Sequence, residues 1–155
     1  MLYYARRYGE AIAVERSALA TDPNYIFHHR ILGLALMAQG HNQEALAELR
    51  ERELSDEFQQ TTVDLVSVYL RLGQPQAALA LLRSLNQRAK KENVLPSQFA
   101  HVYADLGNTN RAFQWLNKAV EEERSPQMMM LNSPEWDVLR DDPRFAAVVK
   151  RVAAQ

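Results

Sequence analysis

The sequence predicts an all-α protein, an array of helix hairpins closed by C-terminal capping helices. Three observations predict it. Gly40, Gly73 and Gly107 recur at a step of roughly 34 residues, each after an apolar helical stretch and before a short polar turn. Ala11, Ala45, Ala78 and Ala112 keep the same step. No segment shows the strict apolar–polar alternation of a strand.

Punctuation residues give the elements in order. Residues 8–21 form the second helix of a pair whose first helix is nearly absent. Pairs follow at 24–39 with 42–54, 57–72 with 75–91, and 96–106 with 109–124. Pro75 suits a first helical position, where no amide hydrogen bond is lost. Asn108 and Thr109 are reasonable N-caps after Gly107. Helices in a hairpin approach closely only where side chains are small. Gly33, Val66 and Ala100 supply the small positions on the first helices, and Ala45, Ala78 and Ala112 those on the second. Larger side chains then interdigitate around these contacts. A single pair cannot bury its apolar face, so neighbours must stack.

From residue 125 onward the chain departs from the sequence period. Ser125-Pro126, Ser133-Pro134 and Asp142-Pro143 are three cap-plus-proline helix starts. In the final helix Phe145, Val148, Val149 and Val152 fall at i, i+3, i+4, i+7, one apolar face. The segment 125–155 reads as a cap sealing the end of an array that occupies 1–124, one partial and three complete pairs. Met128, Met129 and Met130 are an alternative binding lip. At the other end Leu2, Tyr3, Tyr4 and Tyr8 would cover the face that lacks a neighbouring helix. The short opening suggests that upstream sequence is missing or that a partner chain covers this end. A homo-oligomer through that face is one form of the second case.

The repeat pattern resembles the tetratricopeptide repeat (TPR) family over residues 8–124. That pattern runs aromatic, Leu-Gly, Tyr, Ala, Phe, Pro over about 34 residues. Leu32-Gly33 matches the Leu-Gly step, Tyr69 and Tyr103 the tyrosine, and the alanines recur in every repeat. Pro23 matches the closing proline of the partial repeat. The departures are His29, Thr62 and Pro96 at the leading aromatic, leucine for the second-helix phenylalanine, and the missing closing prolines of the complete repeats. The resemblance implies a right-handed α-α superhelix, a TPR solenoid, that binds a protein or peptide and needs no cofactor. The run Trp136-Asp137-Val138-Leu139-Arg140-Asp141-Asp142-Pro143-Arg144-Phe145 is similar to the close of TPR regions in bacterial multidomain regulators. Those regions stand behind winged-helix, cyclase or kinase domains. This implies a regulatory module at the end of a longer polypeptide, whose upstream domain is itself a candidate partner.

Composition removes several function classes. At 155 residues the chain suits one domain or one short array, and 47% apolar residues suffice for a core. Eighteen basic against 19 acidic side chains give a net charge of −1, which disfavours a generally basic nucleic-acid binder. With no cysteine, disulfides, thiolate zinc sites and cysteine nucleophiles are excluded. No apolar run approaches the roughly 18 residues of a membrane span. No signal core follows Met1-Leu2-Tyr3-Tyr4-Ala5-Arg6-Arg7. The expected compartment is the cytoplasm, or the periplasm for a regulator with a membrane span.

Catalysis is not expected. GxGxxG, P-loop, HExxH and EF-hand patterns are all absent. His28 and His29 are adjacent on a helix and point about 100° apart, a poor start for a metal site. His41 falls in a turn. His101, with Asp105 one turn later, has the spacing of an oriented base, but no nucleophile elbow accompanies it. No metal or cofactor site follows.

What remains is a surface. By the resemblance, the first helices line a concave groove of Phe27, Arg30, Leu34, Met37, Gln60, Val63, Ser67, Arg71, Ser97, His101 and Asp105. For the apolar members, core packing is an equal alternative. Arg30 and Arg71 are harder to explain as core; a guanidinium fork suits carboxylates, which would fit an acidic peptide or chain terminus, and a solvated helix face is the alternative. The function expected is a protein-interaction module of a bacterial regulator. A free-standing adaptor or chaperone and a small-molecule sensor are the alternatives.

Overall fold

The computed structural model describes residues 2–53, 60–122 and 130–154, and these contain helices and turns but no strand. In chain order the helices are α1 (Tyr8–Thr21), α2 (Ile26–Ala38), α3 (Asn42–Glu53), α4 (Gln60–Arg71), α5 (Pro75–Arg88), α6 (Pro96–Asp105) and α7 (Thr109–Glu122). A 3-10 helix, Pro134–Leu139, and α8 (Pro143–Ala153) follow. The fold is all-α, as the repeat spacing predicts. The expected helix starts at 57 and 125 lie outside the described residues, as do Met128 and Met129.

The glycine spacing has a stereochemical cause. Gly40, Gly73 and Gly107 have φ of 81°, 69° and 75°, left-handed values that a Cβ disfavours. Each ends its helix in the same way. The residue after the glycine donates to a carbonyl five back: His41 to Leu36, Gln74 to Tyr69 and Asn108 to Tyr103, each at 2.9 Å. Each glycine also donates to the carbonyl three residues before it, at 3.0–3.1 Å. Carbonyls orphaned at a helix end are thereby satisfied, and the chain turns into the next helix. Asn108 then caps α7 by accepting from the Arg111 amide at 3.2 Å.

By compactness the chain divides into Met1–Arg83 and Ser84–Gln155. In the first unit α1, α3 and α4 all pack on α2. From Arg30 to Met37 every residue of α2 is buried, so this helix is enclosed on all sides along its middle. Leu2, Tyr4 and Tyr8 lie half-buried against the same core, and Tyr3 is buried within it. The Tyr3 and Tyr4 rings meet edge to face at 5.1 Å. The N-terminal aromatics thus pack over the end beside α1, as their position ahead of that helix predicts.

The α2–α3 hairpin closes on Gly33. A Cβ there would lie 2.8 Å from Leu49 Cγ and 3.4 Å from the Ala45 carbonyl oxygen. Leu49 is fully buried and has nowhere to retreat. Gly33→Ala is expected to destabilise the fold by about 1 kcal/mol net, overpacking of ~1–3 kcal/mol outweighing the gain in helix propensity. Gly9→Ala gives the opposite sign. There the nearest atom to the new Cβ is the flexible end of Gln39, at 3.4 Å. Urea midpoints of the two variants check the pair: a fall for the first and no fall for the second.

In the second unit α6 packs on α7, α7 on α8, and the 3-10 helix on α6. The core holds Ala100, Ala112, Phe113, Leu116, Leu131, Trp136, Leu139 and Phe145. Although its sequence departs from the repeat, the C-terminal segment keeps the repeat register in space. His101 Nε2 donates to the Glu135 carbonyl at 3.0 Å, Arg144 to Asn110 at 3.0 Å and Arg151 to Asn117 at 2.7 Å, and the two members of each pair are numbered i and i+34. The segment is a further helix pair whose first member has shrunk to six residues of 3-10 helix. Asp142 caps α8 by accepting from the Arg144 amide at 2.9 Å. The Arg144 side chain, bonded to the same carboxylate, holds Asp142 below the usual carboxylate range. One expectation needs correction: Val149 is exposed, while Phe145, Val148 and Val152 are buried. At 100° per residue Val149 points roughly 70° away from the mean direction of those three.

Candidate interaction surface

The residues expected to line a groove do not form an open surface. Arg30, Leu34, Met37, Val63 and His101 are buried, Ser67, Ser97 and Asp105 are half-buried, and Phe27 and Arg71 are exposed. The Gln60 side chain lies outside the described residues. The cause is the enclosure of the first helices. Residues 30–37 of α2, 61–66 of α4 and 98–102 of α6 are continuous buried runs. Such a run leaves no side for a guest. Leu34, Met37 and Val63 have therefore taken the core alternative, while Phe27 has not.

Arg30 is the clearest correction. Its Nε donates to Asp64 Oδ2 at 2.6 Å and its Nη2 to Asp64 Oδ1 at 3.1 Å, a fork on a carboxylate. The acidic partner suited to this guanidinium is thus inside the chain. The two side chains are 11% and 1% exposed, so the pair is an interior contact between α2 and α4. His101 is also consumed internally. It stacks on Trp136 at 4.8 Å with 24° between the rings and donates to the Glu135 carbonyl. Its place is a joint between α6 and the 3-10 helix, not a groove.

His28 Nδ1 meets Glu15 Oε2 at 2.6 Å, which ties α2 to α1. His29 bridges Glu48 and the Pro23 carbonyl, each at 2.7 Å, which ties α2 to α3. Among the described residues, no three His, Asp or Glu side chains gather as a metal site.

The second helices keep solvent faces, and there the structure shows a surface that reading by repeat position overlooked. A depression in the second unit is lined by Tyr103, Arg111, Gln114, Trp115 and Lys118. Four of these lie on α7 at i, i+3, i+4 and i+7, a stripe visible in the sequence. Trp115 is backed by Phe99, stacked at 4.5 Å and 23°. Arg111 stands over the Tyr103 ring at 5.3 Å and donates to its hydroxyl at 3.2 Å. Lys118 stands over Trp115 at 4.9 Å. Each cation is therefore positioned by a ring face while its head group stays in water.

No curated protein and no solved structure matches the chain. The tetratricopeptide repeat family does match, over residues 97–126, the stretch that runs from the second residue of α6 through the Gly107 turn and α7. With the same glycine-ended hairpin in the first unit, the match supports a tetratricopeptide repeat family and a TPR-like all-α fold.

Proposed function

We propose that this chain is a protein-interaction module, the C-terminal TPR region of a bacterial transcriptional or signalling regulator acting in the cytoplasm. The repeat architecture carries the reading. Helix pairs built alike and stacked present side chains at regular intervals along a surface. The chemistry-bearing residues Arg30, His28, His29 and His101 are tied up in holding helices together, which fits binding better than catalysis.

Phe27 and Arg71 are the exposed members of the expected groove. The Arg30–Asp64 pair sets α2 and α4 side by side in the repeat register, so Phe27 and Arg71 stand about ten residues, or roughly 15 Å, apart along the helix axes. A peptide bridging them would place an apolar group on Phe27 and a carboxylate on Arg71. Arg71→Glu is expected to abolish capture of the partner by the immobilised chain with the helical circular dichroism unchanged. Equal capture by the variant would remove Arg71 from the site.

A further inference from the structure

We propose that the depression on α7 is a second docking site, for an acidic peptide segment whose two carboxylates are spaced to meet Arg111 and Lys118. The proposal rests on reading the chain as an interaction module, but it uses a different face.

The argument begins with placement. Arg111 and Lys118 are seven positions apart on one helix face, so their heads are offset by roughly 10 Å along the axis. Between them lie the half-buried Trp115 ring and the Gln114 amide. Among the described residues no carboxylate lines the depression, and the carboxylate that Lys118 meets is Glu122 at 3.9 Å, both side chains being about half exposed. A pair so exposed competes weakly with an incoming anion. Arg111 uses one nitrogen on the Tyr103 hydroxyl, and its guanidinium has further N–H donors for a guest.

The occupant follows from that spacing. A peptide in the polyproline II conformation rises about 3.1 Å per residue with three residues per turn, so acidic residues three apart fall on one face roughly 9 Å apart and reach both cations. The backbone between them then crosses beside the half-buried Trp115, whose ring is stacked on Phe99 and carries Lys118, and a proline or aliphatic residue there suits that conformation. A nucleic-acid strand fits less well. A phosphate backbone continuing along α7 meets Glu121 and Glu122, within one turn of Lys118. Two carboxylates end before that turn.

Trp115 supplies the readout. The other tryptophan, Trp136, belongs to the 3-10 helix and is buried in the core. A synthetic peptide with glutamates at i and i+3 around two aliphatic residues is titrated into the full chain, and tryptophan fluorescence is followed. The expected result is a saturable change that weakens with added salt and vanishes in Trp115→Phe. Arg111→Glu and Lys118→Glu should each lower affinity at least tenfold, and a peptide with glutamine at both positions should lose binding to the same degree. Both substituted residues are exposed, and an unchanged circular dichroism spectrum confirms the fold. Equal binding by the reversed-charge variants would overturn the proposal. So would no change with millimolar peptide, or a stronger response to a single-stranded oligonucleotide at the same salt. A natural partner lost by Arg71→Glu but retained by Arg111→Glu/Lys118→Glu would leave the interaction reading intact and remove this site alone.

Discussion

Asp64→Ala is expected to destabilise the first unit by about 3–5 kcal/mol, the cost of removing one partner of a buried, doubly bonded ion pair. Native domains hold only about 5–15 kcal/mol in total, so this one change takes a large share. The magnitude follows from position. Asp64 is 1% exposed and receives two hydrogen bonds from Arg30, itself enclosed by the packing of α2. Without the carboxylate, the arginine must either stay charged in the core or pull α2 away from α4 to reach water. The double variant Arg30→Met/Asp64→Leu separates net contribution from dependence. Replacing both partners by apolar groups of similar volume is expected to restore most of the loss, because the pair must also offset its own desolvation. Urea unfolding followed by far-UV circular dichroism reads both variants. A shift below about 1 kcal/mol for Asp64→Ala would mean that Arg30 reaches solvent readily and that the contact is peripheral.

Arg30 also shows where sequence reading stops. The helix ends were legible because their causes are local: a left-handed glycine, a proline at a first turn, an Asn or Asp cap. The small positions Gly33, Ala45, Ala100 and Ala112 were legible because close approach leaves no room for larger side chains. Burial of a charged residue is not local. It depends on partners elsewhere in the chain, and the forked bond of Arg30 to Asp64, one full repeat further along, helps to make it tolerable. The cue for α2 lay in Ile31–Met37, which has no polar residue and so no solvent face. The C-terminal segment deceived in the opposite direction. Its sequence lost the Gly-Ala pattern, and the apolar period stops there, yet its hydrogen bonds still run from residue i to i+34. Polar contacts kept the register that the apolar pattern had stopped recording. The α7 stripe was readable as helix spacing. Its meaning as a surface depended on Phe99 and Tyr103 lying beneath and beside it, which only the hairpin shows.

Trp136→Ala is expected to cost about 3–5 kcal/mol in the second unit, the usual range for deleting a buried aromatic side chain. The ring is 4% exposed and belongs to the core shared by α6, α7 and α8. It also forms the stacked face against His101, whose Nε2 is bonded to the neighbouring Glu135 carbonyl. A 3-10 helix of six residues has little stability of its own, so side-chain anchoring must hold it. Two anchors are Trp136 and Leu139, both buried. Losing the larger opens a cavity over His101 and loosens the element that stands where a full first helix would. Val138→Ala is the matched control. Val138 lies in the same short helix but is 59% exposed, and its truncation should change stability by no more than about 0.5 kcal/mol. If the two variants unfold at the same urea concentration, the C-terminal pair is a loosely held tail and α6 is stable without it. If they separate as expected, the final pair is integral to the unit. Its shortened first helix then stands in for a longer one because Trp136 and Leu139, both buried, anchor it to the core.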